Sequence, residues 1–209
     1  MEKFIDLQNW KRKQHFDFFS KYDEPFWGVV SEIDCTNALE KAKILNESFF
    51  IYYLHKSTVA INEIEEFRYR IIDDKVANYD VIHAASTIGR KDESFGYSFI
   101  KYDKDFNIFT QFAKEEILRV NSSSGLSLNE NSERLDVIHY STLPWTKFTG
   151  LTHARNFKKI DSIPKIVFGK YFSNNNRKMM NISINAHHGL ADGIHAAKYF
   201  ELMQKLMDE

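Results

Sequence analysis

The chain is predicted to fold as one α/β (α+β) domain spanning residues 1–209, a mixed β-sheet covered by helices. Three observations predict this class. Helical and strand-like periodicities interleave along the whole length. Hairpin-type turns, Asp73-Asp74 and Ser173-Asn174-Asn175-Asn176, join neighbouring strand patterns, so part of the sheet is antiparallel. No internal repeat and no flexible linker divides the 209 residues, a length that supports one sizeable core.

In chain order, residues 10–19 have helical composition, with Arg12, Phe16 and Phe19 on one face at i, i+4 and i+7. Residues 26–33 are β-branched and aromatic and read as a strand. Residues 34–65 carry a long helical pattern, through Leu39, Ala42 and Leu45 and then Phe50, Tyr53 and Val59. It is expected to break into two helices near Asn46-Glu47-Ser48. Strands are expected at 67–72, 75–79, 81–86 and 95–102, and a helix at 106–120. Residues 121–134, rich in Ser, Asn and Glu, read as an exposed loop. Strands follow at 135–142, 165–172 and 179–188. The last helix, 193–207, puts Ala196, Phe200, Met203 and Met207 on one stripe.

With 28 basic and 29 acidic side chains the net charge is -1, which predicts no nucleic-acid partner. No stretch approaches the roughly 20 apolar residues of a membrane span. The first six residues also lack the apolar centre of a signal peptide, so no membrane and a cytoplasmic location are expected. Cys35 is the only cysteine, which excludes a disulfide within the chain and a cysteine-based metal site. His15, His55, His83, His139, His153 and His195 show no metal-ligand spacing; they read as structural or surface residues, and no metal is expected.

The most informative stretch is His187-His188-Gly189-Leu190-Ala191-Asp192-Gly193. The residues before it, Met180 to Ala186, alternate apolar and polar with period two, the pattern of a half-buried strand. Continuing the alternation puts His188 on the face of Met180, Ile182, Ile184 and Ala186, and His187 on the face of Asn181, Ser183 and Asn185. A desolvated, neutral imidazole near physiological pH suits a general base. Taken singly, His188 would read as a core histidine and Asp192 as a helix N-cap; their combination with Gly193 points to chemistry.

Four other stretches give the motif its context. Asn9-Trp10-Lys11-Arg12-Lys13-Gln14-His15-Phe16 resembles the Asn-Trp-x-Arg-x-x-His-Phe opening of the chloramphenicol acetyltransferases. Glu32-Ile33-Asp34-Cys35-Thr36, Ser141-Thr142-Leu143-Pro144-Trp145 and Gly169-Lys170-Tyr171 resemble the same family in the same order. His195 extends the motif to His-His-x-x-x-Asp-Gly-x-His. The resemblance covers essentially the whole chain and implies that family's fold.

It also implies roles. The chain would be an acetyltransferase that takes acetyl-CoA as co-substrate and acetylates the primary hydroxyl of a small-molecule acceptor, chloramphenicol first, which inactivates the antibiotic. His188 would be the general base and Ser141 the oxyanion donor. Asp192 would pair with Arg12 to hold the active-site loop, with no triad role, and His188 would orient its ring on its own backbone carbonyl. Independently of the family, Arg12 shares a helical face with Phe16 and Phe19, where a charge needs a partner or a route to water. Lys170 and Tyr171 would lie near the adenosine part of coenzyme A, a cation for the 3′-phosphate and a ring for adenine. The resemblance implies a homotrimer with active sites at subunit interfaces.

The acceptor pocket departs from the family pattern. Phe19 stands where a Tyr often ends the first motif, His139 where an Asn precedes the serine by two residues, and Val167 where a Thr assists the transition state. Leu151 lies in a run that differs from the family's Trp-x-x-Phe-x-Ser-Phe-Asn-Leu, and Ala191 replaces a common Cys. Phe19, His139, Leu151 and Val167 are therefore the expected pocket lining. Two alternatives stay open: an acyltransferase of the same fold using another hydroxyl or thiol acceptor, as dihydrolipoamide acyltransferases do, and a non-catalytic small-molecule binder. The first is disfavoured because no lipoyl region precedes the domain and the Asn-Trp-x-Arg opening belongs to the antibiotic enzymes. A condensation domain shares the His-His motif but needs about twice this length.

Overall fold

A computed structural model describes residues 1–209. The strands are β1 (Glu2–Phe4), β2 (Phe26–Asp34), β3 (Tyr69–Ile72), β4 (Lys75–Tyr79), β5 (His83–Gly89), β6 (Phe95–Ile100), β7 (Val137–Leu143), β8 (Lys165–Asn174) and β9 (Arg177–His187). The helices are α1 (Lys13–Phe19), α2 (Thr36–Ile44), α3 (Phe49–Asn62), α4 (Phe106–Asn121) and α5 (Gly193–Asp208), with a 3-10 turn at Glu65–Arg68. Six strands form the main sheet in the order β2-β9-β8-β7-β5-β6, and three form a small one, β1-β4-β3. β7 runs parallel to β5 and β8, while every other pairing is antiparallel. The expected mixed sheet with prominent hairpins is what forms.

Alternation along the strands sorts the main sheet into two faces. Ile138 and Tyr140 of β7, Ile166 and Phe168 of β8, and Ile182 and Ile184 of β9 join one core with Leu54 and Ile61 of α3 and Tyr199 and Met203 of α5. The hydroxyls of Tyr140 and Tyr199 converge there on Ser57, at 3.1 and 2.8 Å, so no buried hydroxyl of the three is left unpaired. The small sheet is tied to β7 through Arg70. This fully buried guanidinium donates to the carbonyls of Phe67, Tyr69, Leu135 and Val137.

Several expected boundaries move, each for a local reason. The first helix starts at Lys13, because Trp10 is held against Tyr69 and Phe16 at ring distances of 5.5 and 6.0 Å; Arg12 sits at the N-cap. β5 begins at His83, two residues later than expected. The side chain of Asn62 takes both the N–H and the carbonyl of Ile82, at 2.8 and 2.9 Å, leaving that residue nothing to pair in a sheet. Both hairpin turns hold. Asp73, Asp74, Asn175 and Asn176 all adopt positive φ, which Asp and Asn tolerate better than other non-glycine residues. β9 is not half-buried, however. Asn181, Ser183 and His187 on its polar side are as enclosed as the apolar residues, and Asn181 donates to the carbonyl of Phe148 at 2.6 Å.

Candidate active site

The turn after β9 carries the His-His motif and is held mainly through its backbone. His188 N–H donates to the Pro25 carbonyl at 2.9 Å, and the Trp27 indole N–H donates to the Ala191 carbonyl at 2.9 Å. The N–H groups of Leu190 and Ala191 both donate to the His187 carbonyl. Gly189 packs so closely on α1 that a Cβ there would lie 3.1 Å from the Phe16 Cα and 3.1 Å from the His187 ring. The turn thus joins β2, α1 and the start of α5.

The two histidines fall into different environments. His187 is buried, and its Nδ1 accepts the Gly189 N–H at 3.1 Å. Burial, with Arg155 nearby, pushes its pKa down to about 4, so it remains uncharged. His188 is half-buried and lies just beyond the last residue of β9. Its ring stacks on Phe19, with centroids 4.1 Å apart and planes 11° apart, and leans on Trp27 at 5.5 Å. The expected bond between the ring and its own carbonyl does not form. His188 Nδ1 is buried without a hydrogen-bond partner, and the carbonyl instead accepts from Arg12 Nη2 at 3.2 Å. Aromatic stacking fixes the plane of the ring, and Arg12 fixes the backbone beneath it.

Arg12 and Asp192 pair as expected, with Nη1 2.7 Å from Oδ2. The Arg12 side chain is only 7% exposed, so a neighbouring carboxylate is required to keep its charge in place. Although burial opposes ionisation, the bond from Arg12 holds the Asp192 carboxyl below its ordinary range. No hydrogen bond joins Asp192 to the His188 ring, so the triad reading is absent from the geometry. His195, expected to be structural or at the surface, is buried in the first turn of α5 beside Asp192.

Ser141 lies elsewhere. It faces a cleft of about 1160 Å³ that it shares with His139, Trp145, Lys170 and Tyr171. The cleft wraps round the end of β7 to reach Phe49 and Tyr53 of α3, and its far wall is Phe95, Tyr97 and Phe99 of β6. β7 does end at Leu143, before Pro144, as the missing proline donor requires. The His139 ring is exposed to solvent on the cleft side, and crowding by the cleft with Lys165 close by lowers its pKa. A bulge in the pairing of β8 with β9 between Phe168 and Tyr171 turns Lys170 and Tyr171 outward, both exposed at the rim. Lys165 and Lys170 are the only charged residues of the lining, and no carboxylate faces the cleft.

Three of the four expected pocket residues, Val167, Leu151 and Phe19, lie outside the cleft, and only His139 lines it. Val167, opposite Ser141 in the sheet, is buried, and Leu151 lines a separate small hollow with Glu24, Phe26 and His153. Phe19 belongs with His188. Ser141 stands opposite Val167, and Val167 opposite Ser183. His188 is therefore two strands across and five residues further on, roughly 19 Å away at about 4.8 Å per strand and 3.3 Å per residue. One protomer does not bring the imidazole and the serine together.

The sequence profile of the chloramphenicol acetyltransferases matches residues 2–204. The chain belongs to the chloramphenicol acetyltransferase family. It is therefore an acetyltransferase by family, with the fold expected of one. The chloramphenicol acetyltransferase of Clostridium perfringens is 27% identical over 206 residues, covering 97% of this chain and 93% of that protein. A solved chloramphenicol acetyltransferase superposes with a TM-score of 0.92 at 32% identity, over 99% of this chain and 100% of the other. A probable dihydrolipoamide acetyltransferase from Listeria monocytogenes shares the fold at a TM-score of 0.71 and 12% identity, over 93% of this chain and 88% of that one. In this chain no helix is long and apolar enough to cross a membrane.

Sequence reasoning missed three contributors. Trp27 sits inside a correctly expected strand, and only the tertiary fold shows that its indole holds the site turn. Glu66, beside His195, and the β6 aromatics of the cleft wall carry no local signal at all.

Proposed function

We propose that this chain transfers an acetyl group from acetyl-CoA to the primary hydroxyl of chloramphenicol, with His188 as base, in a homotrimer whose active sites lie between subunits. The observation that carries the reading is the His188 turn: an imidazole held by stacking and by its backbone, its ring free of any competing hydrogen bond in the fold. His188 takes the proton of the acceptor hydroxyl as that oxygen attacks the thioester carbonyl. The Ser141 hydroxyl donates to the oxyanion of the tetrahedral intermediate. Collapse breaks the carbon–sulfur bond, and the imidazolium returns the proton to the leaving thiolate. No acyl-enzyme is formed, and no metal is needed.

The roughly 19 Å between His188 and Ser141 supports a shared site, since a donor and a base must both lie near the reacting carbonyl. The exposed rings on the cleft wall, Phe95 and Tyr97, together with Trp145 at its rim, suit a surface that a neighbouring subunit covers. A lining without carboxylates suits the phosphates of coenzyme A and a neutral acceptor. A cytoplasmic location follows from the supply of acetyl-CoA.

Thiol release from acetyl-CoA, followed with chloramphenicol as acceptor, tests the proposal. Acceptor-dependent release by the wild-type protein and its loss in His188→Ala is the expected result. Release with dihydrolipoamide but not with chloramphenicol would reassign the acceptor, and none with any hydroxyl or thiol would overturn the catalytic reading.

A further inference from the structure

Asp192 has two carboxylate oxygens, and the family motif accounts for only one of them. Oδ2 receives Arg12. Oδ1 has no hydrogen-bond partner; it lies 3.0 Å from Nδ1 of His195, whose lone pair accepts the Asp192 backbone N–H at 3.0 Å. The other ring nitrogen, Nε2, is 3.3 Å from Oε1 of Glu66 in the 3-10 turn. Both side chains are nearly excluded from solvent, 7% exposed for His195 and 10% for Glu66. Lys11 also approaches Glu66, its Nζ 4.0 Å away on a side chain 81% exposed.

We propose that Glu66 and His195 are positioning residues for acyl transfer, holding Asp192 and, through Arg12, the backbone of the base His188. The proposal rests on the reading of His188 given above. A buried carboxylate must be hydrogen-bonded, and His195 is the group that satisfies Glu66. The bond from His195 holds the Glu66 carboxyl at a pKa of about 2, against an ordinary 4.5, so it is ionised and always accepts. Because Nδ1 accepts the Asp192 N–H, the ring proton sits on Nε2 and faces the Glu66 carboxylate. Asp192 is then fixed at two points, its carboxylate by Arg12 and its backbone N–H by His195. Arg12 in turn is the one side chain that touches both Asp192 and the His188 carbonyl. Removing Glu66 lets the His195 ring rotate or change tautomer, and the slack passes along this chain to the turn that carries the base.

The experiment compares Glu66→Ala, Glu66→Gln and His195→Ala by steady-state kinetics and by nitrogen NMR of the histidine rings. For Glu66→Ala and His195→Ala, kcat is expected to fall about 10–100-fold, the usual scale for a base displaced by a fraction of an ångström to 1 Å, with KM for acetyl-CoA held within about twofold. The His188 ring signals shift in both. Glu66→Gln keeps an oxygen acceptor for Nε2–H, so its kcat and its His188 signals stay near wild type; a role limited to charge or to bulk stability would not show that rescue. A folded Glu66→Ala protein with unchanged kcat and unmoved His188 signals overturns the proposal, as does Glu66→Gln falling as far as Glu66→Ala. Should His195→Ala not fold, Glu66→Ala decides alone. The NMR readout needs no acceptor: wild-type protein without acetyl transfer would sink the functional reading, while the His188 signals still report whether Glu66 positions that ring.

Discussion

The turn that carries His188 is held from several directions, by Pro25, Trp27, Arg12 and Asp192, whereas the cleft that holds Ser141 is broad, apolar and walled by half-exposed rings. The first region is preorganised within one protomer: its backbone is tied at several points and stacking on Phe19 fixes the plane of the imidazole. The second is a binding surface with one side missing. The contrast teaches that the two halves of the proposed chemistry are built separately, a rigid base just after β9 and a receptive serine near the end of β7. In the proposed homotrimer they become a site when a second copy supplies the complement.

Substitutions sharpen this comparison, beginning with the largest effects. His188→Ala should lower kcat by about 10²–10⁴-fold, the usual worth of a positioned general base. His187→Ala should instead damage stability, because that ring closes the turn onto Gly189. Ser141→Ala should lower kcat by roughly 10²-fold with KM little changed, as expected of a donor acting in the transition state. Kinetics alongside thermal unfolding separate these outcomes; if His187→Ala is the variant that loses chemistry, the base has been placed on the wrong ring.

Next in size is the pair beneath the base. Asp192→Asn and Arg12→Ala should each destabilise by about 1–3 kcal/mol, less than the ~3–5 typical of a fully buried pair because Asp192 remains 29% exposed. The double variant should cost less than the sum, since neither charge is then left alone. Additive losses in denaturant melts would show that the two act independently.

On the cleft side, if His139 lines the acceptor pocket, His139→Asn should change KM for the acceptor several-fold while KM for acetyl-CoA stays put. Equal changes for both substrates would move His139 out of the acceptor pocket. The smallest effect concerns acid. The Glu66 carboxyl titrates near 2 in the fold against an ordinary 4.5, and Asp192 is also depressed. The folded state therefore binds fewer protons than the unfolded chain between these values. Their stabilisation is complete above about pH 4.5 and is lost as the pH falls towards 2. Melts across that range should show the loss, and Glu66→Gln should flatten it.

Much of the fold was legible because local patterns coincide with tertiary demands. The hairpin turns required residues that tolerate positive φ, and the break between α2 and α3 fell where helical periodicity failed. The strand β1 was not legible: three exposed residues, Glu2–Phe4, form a strand only because β4 offers an edge. The polar side of β9 misled for a related reason. Alternation reports which residues are apolar, not what covers the polar ones, and the segment after β7 folds back over Asn181. Within the site, the motif residues were readable because the chemistry fixes their type and spacing. Leu151 and Val167 were assigned by correspondence alone, and the path of the chain takes the first to another hollow and buries the second. Glu66 and His195 approach each other from opposite halves of the chain, a pairing that no local pattern encodes.

Subunit mixing tests the central claim most directly. His188→Ala and Ser141→Ala proteins, each inactive alone, are unfolded and refolded together in equal amounts, and acetyl transfer is measured. If each site takes its imidazole from one subunit and its serine from the next, every mixed trimer regains one complete site, and activity should return to about a quarter of wild type. If both residues serve the same site within one protomer, no mixture contains an intact site and the activity stays at the level of the single variants, which would contradict the account.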